Sequence, residues 1–142
     1  MARRVEIEKI DRRFLSAWLL ATLLSGIPST LYALFTGADP LEAARAAGAM
    51  VGRPESLAAA AAVHASVSLF WAAVLWLTKI RTPPGALLAS AAIAVLDLRV
   101  IAPAFFPDVA ALAFWPQFAD HLAWGACYRV GLSLARPRAT RP

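Results

Sequence analysis

A few ionisable side chains interrupt the apolar stretches of this 142-residue sequence, and they are the groups that could do chemistry. They are His64, Asp97, Arg99, Asp120, His121 and Arg129. Imidazole and carboxylate groups exchange protons and bind metals. A charge inside an apolar helix costs a few kcal/mol and marks either a functional position or a contact that ties helices together. Any function beyond packing should therefore be sought among these residues.

His64 and His121 are the two histidines of the sequence, and a haem b group is the most specific ligand they could bind. Two facing neutral imidazoles can hold a haem iron axially, and small residues near each histidine would let a flat ring approach. Alternatively, the two histidines share protons with Asp97 and Asp120. The interpretation that we favour is structural: the four side chains are hydrogen-bonded residues that tie helices together.

Catalytic and metal-binding motifs are absent from the sequence. It contains no Gly-rich phosphate loop, no Gly-x-Ser-x-Gly run and no His-Glu-x-x-His run. Two histidines and two aspartates on different segments give no recognisable zinc-ligand spacing. The one cysteine, Cys127, lies among apolar residues that disfavour its thiolate. We expect no metal and favour a protein that is not an enzyme.

The elements that position these residues are membrane-spanning helices. The sequence is 60% hydrophobic and 16% charged, with a mean hydropathy of +0.61, which is too apolar for a soluble domain. Spans of about 20 apolar residues are predicted at 14–36, 57–78, 85–106 and 110–135. The last span begins either near residue 109 or at Pro116, after a short interfacial piece. The predicted fold is an all-α, four-transmembrane-helix bundle forming one integral membrane domain.

The basic residues predict the orientation of these spans. Of the 14 lysines and arginines, ten flank the spans on the side that carries both termini, and that side is the cytoplasmic one. Both termini are therefore expected in the cytoplasm. Because the basic residues flank spans and form no patch with interleaved aromatics, the net charge of +5 indicates lipid contact and no nucleic-acid partner. The alanine and arginine bias suggests a bacterial inner membrane.

The connection after the first span carries the signature of a short helix. Asp39 is a candidate N-cap, Pro40 fits the first helical position, and Glu42 follows three residues after the cap. We predict an amphipathic helix on the outer surface over about 39–51, ended by Gly52 and Pro54. Its usual role would be a lid that packs on the end of the bundle.

The polar residues of all four spans fall at a similar depth, in the outer half of the membrane. His64, Asp97, Arg99, Asp120 and His121 each lie about 6–14 Å from the outer end of their span, at 1.5 Å per helical residue. Asp97 and Arg99 are separated by about 200° around a helix, so they cannot both face the bundle interior. One of them should point toward the histidines, and the other should reach the headgroups or another protein.

These patterns favour a small non-catalytic membrane protein. The leading hypothesis is an accessory or assembly subunit that packs against other membrane proteins or against its own copies in the bilayer. The alternative is a redox or proton-handling bundle that uses His64 and His121, with or without haem b. A third hypothesis is a small-solute or ion transporter, in which a kink at Pro28 and the outer polar layer form the binding site.

Overall fold

The computed structural model of the chain describes residues 2–134, with side chains from Arg12 onward. These residues form helices and no strand. The helices are α1 (Ala2–Leu24), α2 (Ile27–Thr36), α3 (Glu42–Ala49), α4 (Leu57–Leu77), α5 (Pro83–Leu96), a π-helical segment (Asp97–Ile101), α6 (Ala102–Phe105), α7 (Pro107–Ala110) and α8 (Phe114–Leu134).

Three helical stretches of the described residues are long and apolar enough to cross a membrane: Arg12–Thr36, Leu57–Leu77 and Pro83–Phe105. The all-helical membrane class is confirmed to this extent. Helix α8 has 21 residues, but its polar side chains lower its hydropathy, and it does not join these three by composition alone. The fourth span therefore stays a prediction.

The orientation of the chain also stays a prediction. The structure does not describe the side chains of most of the basic residues from which the orientation was predicted. These are Arg3, Arg4, Lys9, Arg136, Arg138 and Arg141. The last residue of the predicted fourth span, Ala135, lies outside the described residues as well.

Helix α8 is the centre of the bundle. Helices α1 and α5 both pack along it, whereas α4 packs mainly on α1 and α3. Glycines on α8 allow these close approaches. A Cβ added at Gly125 would collide with the Ser90 hydroxyl of α5, and one added at Gly131 would lie 2.6 Å from the Ser16 carbonyl oxygen of α1. Small residues that bring backbones together are the usual packing device of membrane helices.

A buried cluster joins α1, α4, α5 and α8. Its members are Ala17, Ala21, Ala72, Leu75, Ile93, Trp124, Tyr128 and Leu132. Trp124 and Tyr128 stack on α8 with their ring centroids 5.6 Å apart. Because α4 contacts α1 here but scarcely touches α5 along its length, the helices separate toward the end of the bundle that carries α3.

The first predicted span is broken near its middle. Helix α1 ends at Leu24, and α2 begins at Ile27 after Ser25 and Gly26. Pro28 occupies the second position of α2, where its missing N–H costs nothing. The break leaves the first N–H groups of α2 without carbonyl partners in their own helix. The start of a helix therefore lies inside a candidate membrane-spanning stretch.

The helix after the first span is shorter than predicted. It runs Glu42–Ala49, and it does not begin at Asp39 because the Asp39 side chain bonds to the Leu41 N–H at 2.8 Å and holds Asp39–Leu41 in a turn. That hydrogen bond and the Arg45 guanidinium hold the pKa of Asp39 below its usual value. The helix ends before Gly52, whose φ of 69° continues the chain as a turn.

Helix α8 begins close to Pro116, the later of the two starts predicted for the last span. Residues Pro107–Ala110 form the separate short helix α7, and α8 begins at Phe114 with Pro116 in its first turn. A proline is tolerated there because the first N–H groups of a helix have no intrahelical acceptor.

The contact of α8 with α1 generates a stability prediction. Gly131→Ala should lower the free energy of unfolding by about 1–3 kcal/mol, because the new methyl group meets backbone atoms that cannot rotate away. Unfolding of the purified protein in mixed micelles of increasing dodecyl sulfate content measures this. Gly26→Ala is the matched control, since nothing lies within 4 Å of its added Cβ. Equal stability of the two variants would contradict the proposed backbone contact.

Candidate functional site

A cavity of about 760 Å³ lies at the end of the bundle that carries α3. Residues of α2, α4, the π-helical segment and α8 form its walls, and Ala43, Ala44 and Ala47 of α3 cover it together with Met50, which directly follows that helix. The predicted outer helix therefore packs over a cavity, which agrees with the lid expected from the sequence.

Two tryptophans hold the walls of this cavity apart. Trp71 of α4 donates a hydrogen bond from Nε1 to Asp97 Oδ2 at 3.0 Å, and Trp124 of α8 donates one to Ser68 Oγ of α4 at 2.8 Å. Helix α4 makes few backbone contacts with α5, and the two rings occupy part of the space between α4 and its neighbours. The cavity is thus a consequence of bulky side chains that are fixed by polar contacts.

Four of the residues singled out from the sequence line this cavity: His64, Asp97, Asp120 and His121. Arg99 does not. Its guanidinium carbon lies 4.2 Å from the centroid of the Phe114 ring, and the residue is exposed. Asp97 thus points inward and Arg99 outward, as their spacing requires. A cation held on an aromatic face is partly compensated for its loss of water.

A wide helical turn positions Asp97. In the π-helical segment, the N–H of Ala102 bonds to the Asp97 carbonyl five residues earlier. Pro103 follows, and it has no N–H to offer the Arg99 carbonyl. The regular ladder therefore cannot continue at this point, and a π turn accommodates the interruption. Such turns are frequent at functional sites.

Asp97 and His121 form a hydrogen-bonded pair. His121 Nε2 lies 3.3 Å from Asp97 Oδ2, which also accepts the Trp71 bond. His121 Nδ1 lies 2.8 Å from the Gln117 carbonyl oxygen, one turn earlier on α8. Because a carbonyl oxygen can only accept, Nδ1 must be the protonated donor.

This geometry determines the number of protons that the pair holds. With Nδ1 protonated, Nε2 either carries a second proton and donates to an ionised Asp97, or accepts a proton from a neutral Asp97 carboxyl. In both cases one proton lies between Nε2 and Oδ2, and the pair has no net charge. Neutrality lowers the cost of placing two ionisable groups in apolar surroundings.

Asp120 has a different partner. Its Oδ1 accepts a hydrogen bond from the backbone N–H of Ser29 at 2.9 Å. Ser29 lies in the first turn of α2, so a carboxylate from α8 satisfies one of the donors that the helix break leaves free. The positive end of the α2 dipole favours a negative charge at this position.

His64 bonds to the first span, not to His121. Its Nε2 lies 2.9 Å from the Thr22 carbonyl oxygen and 3.3 Å from Ser25 Oγ. Because Nε2 donates to Thr22, the lone pair of a neutral His64 lies on Nδ1. Both nitrogens of His121 already have partners. As it stands, His121 offers no free nitrogen to a haem iron, so the pair does not fit two axial ligands.

A metal centre is not apparent among the described side chains either. Between Arg12 and Leu134, no group of three or more histidine, cysteine, aspartate or glutamate side chains lies close enough to hold an ion.

Sequence reasoning missed two contributors to the site, Trp71 and Gln117. Each could have been found from spacing. Trp71 follows His64 by seven residues on the same face of α4, and Gln117 precedes His121 by one turn of α8. What spacing could not give was which helices would be neighbours.

Comparison with known proteins gives no further assignment: searches of family models, characterised proteins and solved structures found no match to this chain.

The contact of Asp120 with α2 generates a second prediction. Asp120→Ala should lower the free energy of unfolding by about 1–3 kcal/mol, because the Ser29 N–H loses its acceptor in a half-buried position. Asp120→Asn should lose less, since an amide oxygen can still accept. Thermal unfolding in a mild detergent measures both variants. Asp108→Ala, which removes an exposed carboxylate from α7, should leave stability unchanged; equal effects at 108 and 120 would contradict the capping role.

Proposed function

We propose that this chain is a proton-handling membrane protein, in which the Asp97 and His121 pair holds one proton and exchanges it through the cavity. The observation that carries this proposal is the hydrogen bond from His121 Nδ1 to the Gln117 carbonyl, because it leaves Nε2 and Asp97 Oδ2 to share one proton. This corresponds to the alternative raised by the sequence, without its haem.

The surroundings of the pair also support this role. Trp71 fixes the carboxylate oxygen from α4, so Asp97 keeps its position when its charge changes. Asp120 and His64 line the same cavity and are the next groups to which a proton could pass. Ionisable groups that face a cavity inside a membrane protein commonly form such relays. Arg99, on the same π turn as Asp97, faces Phe114 and lies outside the relay.

The proposal includes α8 as a fourth membrane span with both termini in the cytoplasm of a bacterial cell. Helix α8 is as long as α4, and it packs between α1 and α5, two helices that belong to candidate spans. Its polar residues Asp120 and His121 face the cavity and not the surroundings of the bundle. That arrangement lets a helix of lower hydropathy lie in a membrane.

Infrared spectroscopy tests whether the pair shares its proton. In a His64→Gln variant, His121 is the one histidine left in the sequence. Difference spectra between pH values should then show the Asp97 carboxyl band and the His121 ring bands changing in the same steps, because the protons of strongly interacting groups come off in steps that belong to the pair. Adding Asp97→Asn should abolish the carboxyl band and alter the pH dependence of the ring bands.

Asp108→Asn in the same background is the matched control, since it removes an exposed carboxylate outside the cavity. It should leave the coupled change intact. A step in which the carboxyl band changes and the ring bands do not, or a spectrum that Asp97→Asn does not alter, would contradict the proposal.

An accessory or assembly subunit is a second candidate, supported by one face of α4. Ala58, Ala62 and Ser66 are exposed, and they follow one another at four-residue spacing. Small residues at this spacing let a second membrane helix approach closely. The partner would be another membrane subunit or a second copy of this chain.

The mass of the protein in a mild detergent tests this candidate. An assembly through α4 predicts a dimer or a co-purifying subunit that Ala62→Phe dissociates, because a bulky ring holds the facing helix away. Ala92→Phe, on the exposed side of α5, is the control and should leave the assembly unchanged. A stable monomer without a co-purifying protein would count against the subunit role.

A further inference from the structure

Among the residues that the structure describes, the cavity is lined by acidic side chains and histidines but by no permanently positive side chain. Its lining, all within the described residues, includes two carboxylates and two imidazoles but no lysine or arginine. The arginine nearest in sequence, Arg99, lies on the Phe114 ring and does not contribute to the lining. Any positive charge inside the cavity must therefore come from a histidine or from a ligand.

Of the two carboxyl groups, one has a histidine partner and the other does not. Asp97 and His121 share a proton and carry no net charge together. His64 is bonded to a carbonyl and a hydroxyl, and its bonds do not include a carboxylate. Asp120 has a backbone N–H as its partner, which supplies a dipole but no full positive charge. Asp120 is therefore the carboxyl group of this lining that shares no proton with a histidine.

The remaining lining suits an apolar body. Most of it is alanine and larger apolar side chains, with the rings of Phe70, Trp71, Phe106 and Trp124 among them. A volume of about 760 Å³ is the size of sites that bind drug-sized molecules. Aromatic faces attract cations, and the attraction grows where water is excluded.

Part of the cavity lining is exposed on one side of α4. Val67 and Phe70 line the cavity from α4 and are themselves exposed, at 39% and 59%. Leu98 and Ile101 of the π-helical segment line it as well. In a bilayer, this exposed side of α4 would serve as a lateral entrance for a dissolved molecule.

We propose that the cavity binds a lipophilic monovalent cation, a hydrophobic amine or a quaternary onium ion, with Asp120 as its counter-ion and the aromatic rings around its apolar body. The inference rests on the shared proton of the proposed function, since that proton is what leaves Asp120 as the unbalanced charge. A zwitterionic lipid chain or an anionic amphiphile would leave the charge of Asp120 uncompensated.

Two ions of the same shape and opposite charge test this assignment. The full chain in phosphatidylcholine nanodiscs should bind tetraphenylphosphonium saturably in equilibrium dialysis, in excess of nanodiscs without protein. Tetraphenylborate, which matches it in size, should show no saturable binding. Asp120→Asn should weaken tetraphenylphosphonium binding at least tenfold, about 1.4 kcal/mol, whereas Asp108→Asn should leave it within twofold of the parent protein.

A second variant tests the proposal even if the Asp120→Asn protein does not fold. Val67→Trp places a bulky ring at the lateral entrance without changing charge, and it should abolish tetraphenylphosphonium binding even if Asp120→Asn does not fold. Saturable binding of tetraphenylborate with equal affinity, or binding that neither variant weakens, would overturn the proposal. So would an absence of saturable tetraphenylphosphonium binding. The infrared titration of Asp97 and His121 does not depend on these outcomes, so the two proposals can fail separately.

Discussion

The cavity depends on the hydrogen bonds that the Asp97 carboxylate makes. Asp97 lies on the π-helical segment and accepts hydrogen bonds from Trp71 of α4 and from the His121 ring of α8. One side chain thus connects α4, the π-helical segment and α8. The same contacts are the ones from which we propose that Asp97 and His121 share a proton. Structure and proposed chemistry therefore share one set of hydrogen bonds.

Both backbone irregularities of the candidate spans lie beside this cavity. One is the break between α1 and α2, where Asp120 satisfies the Ser29 N–H, and the other is the π turn before Pro103. Irregular backbone at membrane depth is stable only where protein groups or a cavity can satisfy its free donors and acceptors. Each irregularity turns polar groups toward the same space. The cavity and the broken helices are accordingly parts of one arrangement.

The sequence predicted the class of the fold because hydropathy and span length are local properties of the chain. It also predicted that Asp97 and Arg99 would point in different directions, since their spacing fixes their relative angle on a helix. The helix over 39–51 was predicted too long, because the hydrogen bond between Asp39 and Leu41 favours a turn over a helix start. The hydrogen bond between His121 and Asp97 and the one between Asp120 and α2 depend on which helices are neighbours. Helix neighbours are not determined by local patterns in one sequence.

The protonation of the two His121 ring nitrogens tests most directly whether Asp97 and His121 share a proton. Nitrogen-15 resonances of labelled imidazole, recorded in nanodiscs on the His64→Gln protein, report each ring nitrogen separately. We expect Nδ1 to resonate as a protonated nitrogen at every pH at which the protein is folded, and Nε2 near neutral pH to resonate as a nitrogen that shares a proton with a carboxyl group. An unprotonated Nδ1, or an Nε2 with the resonance of a free lone pair, would contradict the shared proton.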